Sequence, residues 1–133
     1  VKMKASKFGF SKILELSYDE AVVKVTEELS KEGFGILTEI DVKATFKKKL
    51  DVDFKPYIIL GACHPQSAYK AITSEEQIGL LLPCNVIVYV DDDEKTVVSL
   101  VNPAEMLGAT DNEELSEVMN SVSGKLQRVF AAI

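Results

Sequence analysis

The chain has a single histidine and two cysteines among 133 residues, and each shortage removes a class of function. A Ser-His-Asp triad would have one histidine to draw on, with no serine elbow in the chain. Two cysteines do not build a disulfide scaffold at this length, so free thiols in a reducing compartment are expected. A spanning helix needs roughly 18 or more consecutive apolar residues, which no segment supplies. A Walker loop and a dinucleotide fingerprint are also missing. Positive charge is scarce: 15 Lys and Arg stand against 21 Asp and Glu, for a net charge of −6. Counterion release from phosphates needs clustered cations, so nucleic acid is not expected as a partner. The one basic run, Lys47 to Lys49, reads as a solvated helix face. The start "VKMKASKFGF" carries lysines without an apolar h-region. It therefore does not read as a secretory signal, and a cytoplasmic protein without membrane contact is expected.

What is present is the composition of an ordinary globular chain, 47% hydrophobic and 27% charged, without repeats, linkers or low-complexity segments. That is enough for one core, and the expectation is one domain over residues 1–133. "FGFSKILEL" (8–16) reads as a strand with Phe8, Phe10, Leu14 and Leu16 on one parity. Ser17 and Glu20 form a capping box for a helix whose stripe is Tyr18, Ala21, Val22, Val25 and Leu29. Glu20, Lys24, Glu27, Glu28 and Lys31 fall mostly outside that stripe, and Gly33 closes the helix. "FGILTEIDV" (34–42) alternates as a strand, with Phe34, Ile36, Ile40 and Val42 inward and Glu39 and Asp41 outward. "KATFKKKL" makes a short helix or turn anchored by Phe46 and Leu50.

A third strand, 55–63, lacks alternation and is expected to be more fully buried. A short helix follows over 65–72, with Pro65 in its first turn, and 75–84 is a connector. "NVIVYV" and "TVVSLV" form a hairpin across the polar loop "DDDEK". Those acids lack the glycine and distal glutamate of a calcium loop, so they read as a turn. Thr110 and Glu113 suggest a second capping box. It would open a helix with Leu115, Val118, Met119, Val122, Leu126, Val129, Phe130 and Ile133 on one stripe and Gly124 as its weak point.

The order β-α-β-(α)-β-(α)-β-β-α predicts an α+β domain, a curved antiparallel sheet of about five strands with two long helices on one face. Ile87, Tyr89 and Val97 belong to the opposite face. Apolar residues on both parities are too many for a fully solvated sheet, and a homodimer through that face or its edge accounts for them.

The stretch "ILGACHPQSAY" (59–69) gathers the rarest residues, Cys63 and His64, at a strand-to-helix junction. Cys84 would join them at the same end of the sheet if the third and fourth strands are antiparallel neighbours. Cys63 would lie just outside the N-terminus of the 65–72 helix, where amides and dipole favour a thiolate. Three readings compete. Two thiolates and an imidazole suit zinc, although the spacing C-H-x19-C has no C-x2-C hook. A nucleophile or redox pair is the second, although adjacent residues usually point apart, which leaves His64 badly placed as a base for Cys63. In the third, the thiols are small hydrophobes and His64 caps the helix.

"GACHP" (61–65), "LLLPCNVIVY" (80–89) and the closing amphipathic helix resemble the DUF302 family of small bacterial and archaeal proteins. The resemblance implies an α+β fold similar to the TATA-binding-protein class, often dimeric, and no assigned activity. By position its pattern falls on Gly61, Ala62, Cys63, Pro65, Ala68, Leu82, Pro83, Cys84 and Val86. The family often has Asn where this chain has His64, and Asn is a good cap but a poor zinc ligand. The departure favours capping and weighs against a thiolate–imidazole site, leaving Cys63 and Cys84 as the pair of interest.

Two functional expectations follow. In the first, the chain is a non-catalytic small-ligand-binding or dimeric interaction module. Its cleft would be lined by Gly61, Ala62, Pro65, Leu82 and Pro83 beside Cys63, His64 and Cys84, and would take a small apolar ligand or a peptide. In the second, Cys63 and Cys84 carry a thiol-based activity, metal-binding (zinc, with His64) or redox. The absence of a catalytic set points away from an enzyme.

Overall fold

A computed structural model describes residues 3–5, 8–106 and 111–133. Its elements are β1 (Met3–Ala5), β2 (Gly9–Leu14), α1 (Tyr18–Lys31), β3 (Gly35–Asp41), α2 (Val42–Leu50), β4 (Tyr57–Cys63) and α3 (Pro65–Ser74). A 3-10 turn (Glu76–Leu81) leads to β5 (Cys84–Val90), β6 (Thr96–Val101), α4 (Pro103–Met106) and α5 (Glu113–Ala132). The sheet order is β1-β2-β6-β5-β4-β3 with every neighbouring pair antiparallel. This is the expected α+β architecture, with the three-residue β1 as a sixth strand at one edge.

Local chemistry explains the main elements. Ser17 accepts the Glu20 amide at 3.2 Å and Glu20 accepts the Ser17 amide at 3.1 Å, so the capping box of α1 is complete. At the other end the Phe34 amide donates to Leu29 O (2.9 Å) and the Gly33 amide to Ser30 O (3.0 Å). Gly33 has φ +86°, and this pair of bonds closes the helix as a Schellman motif. β5 and β6 pair Val90 with Thr96, making the expected hairpin across residues 91–95. Asp91 holds that loop together by accepting from the amides of Asp93 and Lys95.

Residues opposite one another in register share a sheet face. Phe10, Leu100 and Val86 continue across to Leu60, and Val98 and Val88 to Ile58, which defines the covered face. α1 and α5 lie on it, and their stripes (Ala21, Val25 and Leu29; Val122, Leu126, Val129 and Phe130) build the main core with those strands. A smaller core joins α3, the 3-10 turn and α5 through Ala71, Ile78, Leu115, Val118 and Met119. The other face carries Tyr57, Ile59, Ile87, Tyr89, Val97 and Ser99, as the parity of Ile87, Tyr89 and Val97 predicts. No described helix is long and apolar enough to cross a membrane.

Several local expectations are corrected. β3 has a bulge between Ile36 and Thr38, which reverses parity downstream. Ile40 therefore pairs with Ile59 on the uncovered face and is exposed, while Val42 already begins α2 behind the cap Asp41. Leu50 is 66% exposed and anchors nothing, whereas Phe46 packs on Phe54 with ring centroids 5.1 Å apart. Phe8 precedes β2 and is 80% exposed rather than inward. Glu28 is buried, because Lys31 (2.9 Å) and Lys24 (3.2 Å) fold over its carboxylate and neutralise it against the helix surface. Thr110 lies outside the described residues, and the N-cap of α5 is Asn112, which accepts the Leu115 amide at 3.0 Å.

Candidate functional site

The junction between β4 and α3 is set by His64. Its Nδ1 accepts the Ser67 amide at 3.4 Å and lies 2.8 Å from the Ser67 hydroxyl, so the imidazole is the N-cap of α3. Pro65 fills the first helical position, where a missing amide costs nothing. Because Nδ1 accepts, the ring proton sits on Nε2. Burial pushes the imidazole's pKa down, and the positive charges of Lys125 and Lys70 push it further the same way, so His64 is neutral at pH 7. The ring stands edge-on to Phe34 at 5.5 Å, and Gly33 lies against it so closely that an added Cβ would come within 3.0 Å of Cδ2.

β4 and β5 are antiparallel neighbours with Ala62 opposite Cys84, which places Cys63 and Cys84 at one end of the sheet. There the chain leaves the sheet to make α3 and the 3-10 turn, and the two cores do not quite meet. A cavity of about 300 Å³ remains between them. Phe34, Ala62, Cys84 and Val122 wall it from the main core, and Leu82 and Met119 from the smaller one. Ala68 and Ile72 of α3, with Leu37 at the bulge of β3, complete an almost entirely apolar lining. Cys63, His64 and Ser67 supply its polar corner.

The arrangement limits the available chemistry. Cys84 is 5% exposed, and burial together with the nearby Cys63 pushes its pKa up to about 11. It is a neutral thiol at physiological pH and a poor nucleophile or resolving partner. Among the described residues no three His, Cys, Asp or Glu side chains form a group that could hold a metal ion. His64 in particular has Nδ1 committed to Ser67. The thiols are free, Cys63 half-buried and Cys84 buried.

Of the residues singled out from the sequence, Ala62, Cys63, His64, Leu82, Pro83 and Cys84 converge on the cavity. Gly61 and Pro65 are not among its lining. Gly61 lies beneath Pro83, where a Cβ would meet the ring's Cγ at 2.7 Å, and Pro65 opens α3. The Leu82–Pro83 peptide is cis. Sequence reasoning missed Phe34, Leu37, Ile72, Met119 and Val122. Met119 and Val122 were legible only as core stripe. Leu37 had a signal, an apolar residue off the alternation of its strand.

The whole arrangement has known relatives. A family described as "Domain of unknown function DUF302" matches residues 10–133. Among solved structures, an uncharacterized conserved protein DUF302 from Bacillus stearothermophilus is similar with a TM-score of 0.85 and 25% identity. The match covers 96% of this chain and 98% of that one. No functionally curated protein matches.

Proposed function

The chain belongs to the DUF302 family, and from that premise we propose that it is a non-catalytic small-ligand-binding module whose site is the cavity between the two cores. The observation that carries this reading is the lining: about 300 Å³ of space bounded by apolar side chains, with only Cys63, His64 and Ser67 polar. Such a volume lies at the lower end of ligand sites, which span about 300–1,000 Å³, so the ligand is small. The cavity also opens toward exposed apolar residues. Leu37 and Ile72 line it and are exposed, and Leu80 and Leu81 sit between its lining residues Gly79 and Leu82. Methyl-detected NMR titration with octan-1-ol tests the reading. Shifts should be confined to Leu37, Ile72, Leu82, Met119 and Val122, and should vanish in Ala68→Phe, which puts a ring into the space. Shifts scattered over the surface, or unchanged in that variant, would refute it.

The uncovered sheet face supports a second reading, self-association. Ile13, Ile59, Ile87, Tyr57 and Tyr89 make a largely apolar surface there, of the kind that marks interfaces. Light scattering coupled to size exclusion decides it, since a monomer at high concentration removes the dimer. The thiol reading has less behind it, because Cys84 is held neutral by burial.

A further inference from the structure

The cavity is apolar throughout except at one corner, and the charges of two lysines act on that corner in a protein of net charge −6. Val122 lines the cavity from α5, and Lys125 follows it by three residues, on the same helical face one turn further along. Ser67 lines the cavity from α3, and Lys70 follows it by the same spacing. The charges of both lysines act on the His64 ring, that of Lys125 the more strongly. Among the described residues neither lysine enters an ion pair. No Asp or Glu is among the cavity's lining residues. Lys70 shares a separate shallow recess with Glu114 and Glu117, so part of its charge is offset there, and Lys125 is the better placed of the two.

His64 adds direction to this charge. Its Nδ1 is occupied by Ser67, and among the described residues Nε2 has no hydrogen-bond partner. The ring N–H at the corner therefore belongs to a neutral imidazole acted on by a nearby cation, an arrangement that receives an anionic acceptor better than a neutral one.

We propose that the ligand is a single-chain amphiphile with an anionic head, of the aliphatic monocarboxylate class, its chain between the two cores and its carboxylate at the rim on His64 Nε2–H and Lys125. This rests on the cavity being the ligand site and specifies what enters it. The small volume limits the chain to a short one, and the exposed apolar residues at the mouth (Ile72, Leu80 and Leu81) extend the apolar path beyond the enclosed part.

Isothermal titration calorimetry at pH 7.5 with octanoate and octan-1-ol, both below their aggregation limits, separates the two layers. The unaltered protein should bind octanoate about tenfold more tightly than the alcohol, the scale of a charge-assisted hydrogen bond added to shared apolar burial. Lys125→Gln, at a residue outside the cavity's lining, should remove most of that gap with octan-1-ol affinity unchanged, and His64→Asn, which keeps a helix cap, should narrow it by weakening octanoate more than octan-1-ol. Ala68→Phe should abolish binding of both. Equal affinities for acid and alcohol, or a gap that survives both rim substitutions, overturn the anionic head and leave the cavity reading standing. No binding of either ligand, or full binding in Ala68→Phe, overturns the cavity reading and this inference with it.

Discussion

Replacing Gly33 by alanine probes the contact that ties the end of α1 to the candidate site. The substitution has two separable costs. Gly33 has φ +86°, and holding an L-residue in a left-handed conformation costs roughly 1–2 kcal/mol. The new Cβ would also sit 3.0 Å from Cδ2 and 3.1 Å from Nε2 of His64, closer than comfortable packing. The ring cannot simply swing away, because Nδ1 is tethered to Ser67 and the edge is packed on Phe34. That second cost should be about 0.5–1 kcal/mol, toward the low end of coupling between touching residues. Gly33→Ala should thus destabilise by about 2 kcal/mol in all. In a His64→Ala background the ring is gone and only the backbone cost remains. The double mutant should therefore be about 0.5–1 kcal/mol more stable than the two single effects added together. Urea unfolding followed by far-ultraviolet circular dichroism measures all four states, a suitable probe because the chain has no tryptophan. Additivity within about 0.3 kcal/mol would refute the contact, and with it the idea that Gly33 positions the imidazole.

Three further outcomes test other parts of the structure. Lys12 Nζ donates to Phe130 O (2.8 Å) and Ile133 O (3.2 Å) and lies 5.1 Å from the Phe130 ring centre, so it secures the end of α5. Lys12→Met should cost about 1–3 kcal/mol and speed amide exchange in the last turn of α5, and unchanged exchange there would remove that role. His64 has a folded pKa below its ordinary value of 6.5, so the unfolded chain takes up this proton first as pH falls. Its contribution is complete above about pH 6.5 and declines below it; wild type should lose stability relative to His64→Asn between pH 7.5 and 5.5 in chemical denaturation, and parallel pH curves would refute the assignment. In Cys63→Ser the remaining thiol, its pKa still held up by burial, should react with a disulfide reagent far more slowly than in the urea-unfolded chain. Labelling at the unfolded rate would show that Cys84 is not buried as described.

The features legible in the sequence are those whose causes lie within a few residues. Ser17 and Glu20 are three apart and cap α1 whatever else the chain does. The hairpin about Asp91, the stripe of α5 and the cap at His64 have the same origin: the hydrogen bonds and the faces involved follow from spacing alone. The junction at 61–65 and the segment at 82–84 were readable as neighbours on the condition that β4 and β5 pair antiparallel, which the structure shows. Features set by long-range packing were not readable. The bulge at Leu37 depends on how β3 meets β4, and it alone moved Ile40 to the uncovered face. Glu28 looked solvated until Lys24 and Lys31 closed over it.

By itself, then, the sequence determined the long helices and the five longer strands, the caps at Ser17 and His64, and the parities of β5 and β6. Each of these depends on helical or strand periodicity, which is a property of the local backbone. Only the tertiary structure decided that a cavity exists there. A cavity is the volume left when two cores fail to meet, and here its walls come from six separate elements joined by no local rule. Phe34, Leu37, Met119 and Val122 line that cavity through the mismatch in packing, and α5 brings Lys125 near enough for its charge to act on His64.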